Sequence, residues 1–326
     1  YMVSAATPCP DGAGGNSPNN GCTGKYQSIA NAGGDPNSYA AHPQALSNWI
    51  LSNKNSENIK FVMGMGDIVD NGRGVYGAGR ANTPCILTNH CATQWMVADG
   101  MYEPLFNQVP FHPMPGNHDY DAGGNVIDAG GSRSGLTNYN ATFPYSKWST
   151  QPSFGGAYQS GHMENAWYEV AAGNAQKYII LSLEFEPRDE VLAWASTVIG
   201  AHPEHQVIIT THGYMSSNAN LIASNSYFTA SDTNNNVGRD IYDKLVSQHS
   251  NVLFVFSGHV SSSTMASRVD TGLNGNFIHS YLMDFQSTES DDIDAGNLPY
   301  GMVVIVRVAE DGTKAQLTYY STVRNQ

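Results

Sequence analysis

The sequence predicts an α/β protein in which two packed β-sheets are flanked by helices. Apolar strand-like runs alternate with helical patterns in the middle of the chain, and the last third consists mostly of strand-like runs. This mixture is typical of sheets that pack face to face beneath helices. No Pro/Ser-rich linker or block of charge divides the 326 residues, so we expect one domain over residues 1–326.

The N-terminal half alternates predicted elements with long Gly-rich loops, at residues 9–38 and 71–91. Residues 120–165, rich in Gly, Ser and Tyr, are expected to form an elaborated rim. Periodicity predicts the remaining elements. The predicted strands are 2–6, 59–63, 167–171, 178–183, 206–211, 252–257, 277–283, 302–308 and 315–320. The predicted helices are 39–51, 93–109, 188–199 and 237–249.

Charge and hydropathy exclude some classes of function. The net charge of −13 argues against a nucleic-acid partner, because contacts with phosphate need Lys and Arg. No apolar run reaches the roughly 18 residues of a membrane span, so none is predicted. The chain begins in a strand-like run without a basic and apolar leader, and we expect the mature form of a secreted protein.

Four cysteines also suggest a secreted protein. They are Cys9, Cys22, Cys85 and Cys91. An even count in a Gly- and Asn-rich chain suggests oxidising surroundings. Three connectivities are possible, and we favour Cys9–Cys22 with Cys85–Cys91 over four free thiols. A zinc site is disfavoured because neither pair has Cys-x-x-Cys spacing.

Four short segments, each at the end of an apolar run, carry the chemistry. They are Gly66-Asp67-Ile68-Val69-Asp70, Gly116-Asn117-His118-Asp119, Thr211-His212-Gly213 and Gly258-His259-Val260-Ser261. Each residue alone has a simple explanation, such as a turn cap or a core histidine. All four segments together, in order and at strand ends, favour a metal site at one edge of a sheet.

This ordered set resembles the metal-binding signature of the calcineurin-like metallophosphoesterases, in particular a secreted branch. The resemblance implies a four-layer αββα sandwich and two metal ions that share Asp67. It implies that one ion is held also by Asn117, His212 and His259, a donor set that suits Zn, Mn or Fe better than Ca or Mg. It further implies that His118 is a catalytic acid that is not a ligand, and Asp119 could orient it.

The ligands of the other ion are missing from the pattern. The family has an Asp-x-His or Asp-x-Gln element after the first strand, where this chain has Ala6, Thr7 and Pro8. It also has a second His in Gly-His-x-His, where this chain has Ser261. Both changes affect the same ion, so we expect a one-metal site. Asp11 is a weak candidate for a replacement ligand.

Three functions remain open at this stage. The favoured one is phosphoester hydrolysis through a metal-activated water with His118 as acid. The close alternative is lyase cleavage of an extracellular polysaccharide that contains uronate, and the third is non-catalytic binding of a glycan or other ligand. The substrate would be a small-molecule phosphoester or such a polysaccharide, and we expect a monomer.

Several side chains near the motifs are candidates for contact with substrate. Tyr120, Tyr214 and Arg188 are the predicted substrate-binding residues, with core packing or helix stabilisation as the alternative for each. Arg133 could pair with an anion but is expected in a mobile loop. Asp70 is expected to fix the turn or to hydrogen-bond a ligand imidazole.

Overall fold

The structure is a computed structural model, and the residues it describes form both α-helices and β-sheets. They are 37–69, 72, 95, 98–123, 126–128, 131–172, 176–224, 227–228, 234–262, 264–285, 302–309 and 315–322. Several predictions lie outside these residues: the strand 2–6, residues 9–36 of the loop 9–38, Asp11, Asp70 and all four cysteines.

A seven-stranded mixed sheet forms the centre of the fold. Its strands are β3 (Phe154–Ala157), β4 (Ala166–Ala172), β5 (Gln176–Leu183), β6 (Gln206–Thr211), β7 (Val252–Ser257), β8 (Ala266–Thr271) and β9 (Phe277–Leu282). Their order across the sheet is β3-β4-β5-β6-β7-β9-β8. Strands β5, β6, β7 and β9 are parallel, so their carboxyl ends meet at one edge. The outer strands pair in the antiparallel sense.

Two strand pairs complete the β structure. Strand β1 (Val62–Met63) is parallel to β2 (Phe111–His112), and β10 (Met302–Val308) is antiparallel to β11 (Ala315–Ser321). Both pairs pack on one face of the large sheet. The shared core contains side chains from each, including Tyr178, Ile180, Ile208, Phe254, Phe256, Phe111, Val306 and Leu317.

Helices cover the outer faces. Alternate residues of the same strands, Ile179, Leu181, Val207, Ile209 and Val255, pack in a second core with two helices. These are α4 (Asp189–Ala201) and α5 (Gly238–Lys244). Helix α1 (Asn37–Asn53) joins the first core through Ile50. The period-two division of each strand between two cores produces the expected αββα layers.

Most predicted elements are confirmed within a residue or two, and the departures have local causes. The strand expected at 59–63 is reduced to β1, and the helix expected at 237–249 ends at Lys244, followed by a 3-10 turn, Val246–Gln248. The helix expected at 93–109 also ends early, because a 3-10 turn that contains a proline, Glu103–Leu105, follows Tyr102. Strands β3 and β8 are not among the predicted strands, because β3 contains two glycines and β8 has the polar Arg268 and Asp270 at its half-buried positions and Val269 exposed. The rim contains two short helices, α2 (Thr137–Thr142) and α3 (Tyr145–Trp148).

Within the described residues, no helix has the length and apolar character needed to cross a bilayer.

Candidate metal centre

The four sequence motifs converge at the carboxyl edge of the strands. Asp67 follows β1, and the neighbouring parallel strand β2 leads to the 3-10 turn Asn117–Asp119. His212 directly follows β6, and His259 lies two residues beyond β7, which is parallel to β6. Strand direction therefore brings four residues that are distant in sequence to one point.

The donor atoms at this point are close together. His212 Nε2 lies 3.0 Å from Asp67 Oδ2 and 3.1 Å from Asn117 Oδ1. Asn117 Oδ1 lies 3.0 Å from His259 Nδ1. The donor atoms of Asp67, His212 and His259 all lie within 4.8 Å of one another. Ligands of a tetrahedral ion with bonds of about 2.05 Å are about 3.3 Å apart, so this set of donors fits a small transition-metal ion.

A backbone carbonyl oxygen orients the imidazole of His212. Its Nδ1 lies 2.6 Å from the carbonyl oxygen of Met65, which can only accept a hydrogen bond. Nδ1 therefore carries a proton, and Nε2, which faces Asp67 and Asn117, is the nitrogen that can bind an ion once it gives up its own proton. A carbonyl on the far nitrogen is the usual partner of a metal-binding histidine.

Backbone geometry at the centre is strained. Asp67 has φ 50° and His259 has φ 72°, both in the left-handed region that side chains other than glycine seldom adopt. Gly66, at φ 86°, and Gly116 allow the two loops to approach, since a Cβ on either would clash with His212 or Asp67. Strain of this kind is concentrated at functional sites.

The electrostatics favour an ionised Asp67 and a neutral His259. Burial alone would raise the pKa of Asp67, but the charge and hydrogen bond of His212, together with His118, hold that pKa well below its ordinary value. Burial, with the neighbouring His212 charge, lowers the pKa of His259 to about 4. Burial opposes the charge on His212, yet Asp67 and the Met65 carbonyl raise its pKa overall. A cation would replace the proton in this cluster.

His118 lies beside the donor set and not within it. It is half-buried in the turn Asn117–Asp119, and its backbone N–H donates to Asp67 Oδ1 at 2.9 Å. Its imidazole is near enough to influence the pKa values of both Asp67 and His259. This placement agrees with a residue that acts next to an ion without binding it.

The carboxylate of Asp119, which was predicted to orient His118, hydrogen-bonds backbone N–H groups of two loops. It accepts three backbone N–H groups, from Ile68 at 3.1 Å, Val69 at 3.0 Å and Gly116 at 2.7 Å. Burial and the Asp67 charge raise its pKa to about 7, against the opposing effect of these donors. Asp119 therefore ties the Asp67 loop to the His118 turn, and the hydrogen bonds described for its carboxylate all go to backbone N–H groups.

The two tyrosines expected to line a cleft belong to the interior, which corrects that prediction. Tyr120 is 1% exposed and Tyr214 is fully buried. The hydroxyl of Tyr120 accepts a hydrogen bond from Arg133 Nη1 at 2.7 Å, and Tyr214 packs in the helix-side core. Each ring follows a motif in sequence but turns inward, so the core-packing alternative is the one observed.

The two arginines are bound within the protein. Arg188 Nε donates to the buried Glu184 at 2.8 Å, and this ion pair agrees with the alternative that Arg188 stabilises the protein. Arg133 donates to the carbonyls of Phe185 at 3.2 Å and Glu186 at 2.7 Å, and its guanidinium lies 3.7 Å from the centre of the Phe228 ring. Arg133 therefore belongs to a structured wall of the site, contrary to the expected mobile loop.

Two aromatic residues at the centre were not predicted as site residues. Phe185 packs against His212 and His259, with ring centroids 5.7 and 5.0 Å away. Tyr227 packs against His259 at 5.1 Å and is 43% exposed. Burial and the charges of Asp67 and Glu186 raise the pKa of Tyr227. Neither residue lies in one of the four motifs, and no sequence signal marked Tyr227.

Comparison with known proteins agrees with this geometry. The family model described as calcineurin-like phosphoesterase matches residues 34–262, a range that contains all four motifs. The chain belongs to this family. Its members generally bind divalent metals, and the cluster of Asp67, His212 and His259 is a possible ligand group for one here.

One curated protein and one solved structure are similar to this chain. YvnB of Bacillus subtilis, a protein described as uncharacterized, is 26% identical over 245 residues, which are 73% of this chain and 16% of that protein. A solved structure entitled "GAP50 the anchor in the inner membrane complex of Plasmodium" is similar at 10% identity with a TM-score of 0.35. That similarity covers 86% of this chain and 73% of the other.

The expectation that the second metal ion of the family is missing rests on the sequence. Among the described residues, Asp67, His212 and His259 are the one group of three or more His, Cys, Asp or Glu side chains that could hold a metal. Ser261 lies at the position of the second family histidine, and Ala6, Thr7 and Pro8 lie outside the described residues. The one-metal expectation therefore stays a prediction.

Proposed function

We propose that this protein hydrolyses phosphoesters of small molecules with one divalent transition-metal ion, Zn, Mn or Fe, held by Asp67, Asn117, His212 and His259. The observation that carries the proposal is the convergence of these donors, with His212 Nε2 about equally far from Asp67 Oδ2 and Asn117 Oδ1. The family assignment supports the same reaction class.

The chain's own residues supply orientation and proton transfer. An ion at this position would activate a water molecule and neutralise charge on a phosphoryl group. His118, held through its backbone by Asp67, is the residue that donates a proton to the leaving oxygen. Asp119 fixes the distance between the Asp67 loop and the His118 turn, because its three N–H partners come from both segments.

A single ion limits the reaction. Two ions about 3.5–4 Å apart stabilise both the attacking and the leaving oxygen of a displacement, and one ion cannot do both. General-acid catalysis by His118 then contributes more to the rate, because protonation is the remaining way to stabilise the leaving oxygen. We infer that esters with good leaving groups are hydrolysed fastest.

The test is a metal count combined with a substrate screen. The protein is loaded separately with Zn, Mn and Fe(II), and bound metal per chain is measured together with release of the alcohol or phenol leaving group from a panel of phosphomonoesters and phosphodiesters. One ion per chain with ester hydrolysis that His118→Ala slows by about 10²–10⁴-fold supports the proposal. Two ions per chain would contradict the one-metal mechanism, and no hydrolysis of any ester would contradict the reaction class.

The same screen separates the alternatives. Ultraviolet absorbance of unsaturated uronate from polysaccharide, without phosphoester hydrolysis, would indicate the lyase function. A half-exposed tyrosine beside a metal ligand is an observation compatible with that chemistry, because a phenol can act as acid or base. Saturable glycan binding with no product of either kind would indicate a binding protein.

We also propose that the protein is secreted and monomeric, with Cys9–Cys22 and Cys85–Cys91 as disulfides. The support is compositional: four cysteines in a Gly- and Asn-rich chain of low charge. Peptide mapping without reduction checks the pairing. Peptides that carry free thiols, or a crossed connectivity, would contradict it.

A further inference from the structure

We propose that the ring of Tyr227 forms a binding face for the organic group of the substrate, and that the site therefore favours phosphoesters whose organic group is a flat ring. This inference rests on the proposed function for the identity of the substrate. It concerns binding, so it can be tested apart from turnover.

Exposure distinguishes Tyr227 from the other aromatic rings at the centre. Phe185, Phe228 and Tyr120 are 1%, 6% and 1% exposed, whereas Tyr227 is 43% exposed. Its ring is nearly perpendicular to that of His259, at 74°, with centroids 5.1 Å apart. Of the aromatic side chains described around the donor set, Tyr227 thus combines contact with a donor residue and access to solvent.

Two contacts fix the position of Tyr227. Phe185 contacts it edge-on, with centroids 5.3 Å apart at 81°. The backbone N–H of Tyr227 donates to the carboxylate of Glu186 at 3.1 Å. A ring fixed in this way loses little conformational entropy when a ligand binds against it.

Glu186 is itself a constrained residue. It is 4% exposed and has φ 45°, in the left-handed region. Arg133 donates to its carbonyl at 2.7 Å and to that of Phe185 at 3.2 Å. A strained, buried residue whose carboxylate positions an exposed ring beside metal donors is the kind of arrangement found at functional sites.

The chemistry of the surrounding side chains favours a flat ring over a charged group. Arg133 and Arg188 are both bonded to acceptors of the protein, and the overall charge is −13. A phosphoryl group would be attracted by the ion, and the organic group beside it would meet an aromatic surface. Contact between aromatic rings contributes about 0.5–1.5 kcal/mol beyond buried area, or about three- to tenfold in affinity.

The experiment compares two phosphonates that cannot be hydrolysed, phenylphosphonate and methylphosphonate. Their affinities for the metal-loaded protein are measured by titration calorimetry. We expect the wild type to bind phenylphosphonate about three- to tenfold more tightly. Tyr227→Phe keeps the ring and should keep this preference, whereas Tyr227→Leu should remove it while the affinity for methylphosphonate stays within about twofold.

The matched control is Phe277→Ala. Phe277 is 65% exposed and begins β9, so it lies at the edge of the sheet opposite the metal donors. This variant should retain the preference, and bound metal per chain should be equal in all variants.

Each outcome bears on one claim. Equal affinities in the wild type, binding of neither phosphonate, or loss of preference in Tyr227→Phe would overturn the inference. A preference carried by Tyr227 in a protein that hydrolyses no phosphoester would uphold the inference and reject the proposed function. Phosphoester hydrolysis without the preference would reject the inference and support the proposed function.

Discussion

The carbonyl oxygen of Met65 lies 2.6 Å from Nδ1 of His212, so the opposite nitrogen of that ring, Nε2, is the one directed at Asp67 and Asn117. This contact joins the loop after β1 to the end of β6, two segments separated by almost half the chain. It means that the donor set is oriented by the fold itself before any ion binds.

Replacement of His212 by Gln should remove the ion. The variant loses the one donor that lies beside both Asp67 and Asn117, so we expect metal affinity to fall by at least about tenfold. Bound metal per chain is measured by elemental analysis after dialysis against buffers of defined free-metal concentration. The control is His249→Gln, whose imidazole bonds Ser196 far from the centre and should leave metal content unchanged. Full metal occupancy in the His212 variant would refute the assignment.

Replacement of His118 by Ala should separate catalysis from metal binding. His118 lies outside the group of metal donors, so bound metal should equal that of the wild type. Loss of a general acid typically lowers the rate about 10²–10⁴-fold, and we expect kcat to fall within that range. The deficit should shrink for esters whose leaving group needs no proton. Loss of metal in this variant would identify His118 as a ligand.

Replacement of Gly116 by Ala should damage the centre through sterics alone. An added Cβ would clash with the backbone nitrogen and carboxylate of Asp67, so one loop must move. We expect a loss of about 2 kcal/mol in the free energy of unfolding together with weaker metal binding. The matched variant is Gly100→Ala, which has open space and a helical backbone and should be neutral or stabilising. Equal stability of the two variants would contradict the close approach.

Replacement of Asp119 by Asn should weaken the tie between the two loops. An amide offers one acceptor oxygen where the carboxylate serves three N–H groups, so at least one buried donor loses its partner. We expect a cost of about 2 kcal/mol, measured by chemical denaturation of the metal-free protein. Asp243→Asn, at an exposed ion pair with Arg239, should cost less than about 0.5 kcal/mol. If Asp119 only oriented His118, stability would be unchanged while kcat fell.

Buried His112 should make the protein sensitive to mild acid. Burial between the sheets lowers its pKa to about 3, so the folded state does not take up a proton that the unfolded state takes up below about pH 6.5. Its contribution to stability is therefore present above pH 6.5 and is lost as the pH falls towards 3. The expected loss between pH 7 and pH 5 is about 2 kcal/mol.

The variant His112→Gln isolates this effect. Stability curves of the variant and the wild type, measured without metal at several pH values, should converge as the pH falls. The hydrogen bond between His112 Nδ1 and the Tyr168 hydroxyl, 3.0 Å long, is altered at every pH and shifts the curves without changing their slopes. Parallel curves between pH 7 and pH 5 would show that His112 does not titrate in this way.

The sequence by itself determined the layers of the fold and the location of the donor set. Apolar runs of period two define strands that face two cores, and the motifs come directly after these strands. Since parallel strands end at the same edge, the order of the motifs places all four of them at one edge, and the resemblance to the family implies that Asp67, Asn117, His212 and His259 are the donors. These inferences depend on local pattern and topology, which a sequence expresses directly.

Only the tertiary structure decided which neighbouring side chains serve the site. Tyr120 and Tyr214 adjoin motifs yet turn into the interior, and Asp119 hydrogen-bonds backbone N–H groups. Tyr227, in a segment without a motif, instead reaches the donor residues. The physical reason is that a side chain's partner depends on contacts between segments distant in sequence. A one-dimensional pattern records the type of residue but not the direction in which its side chain points.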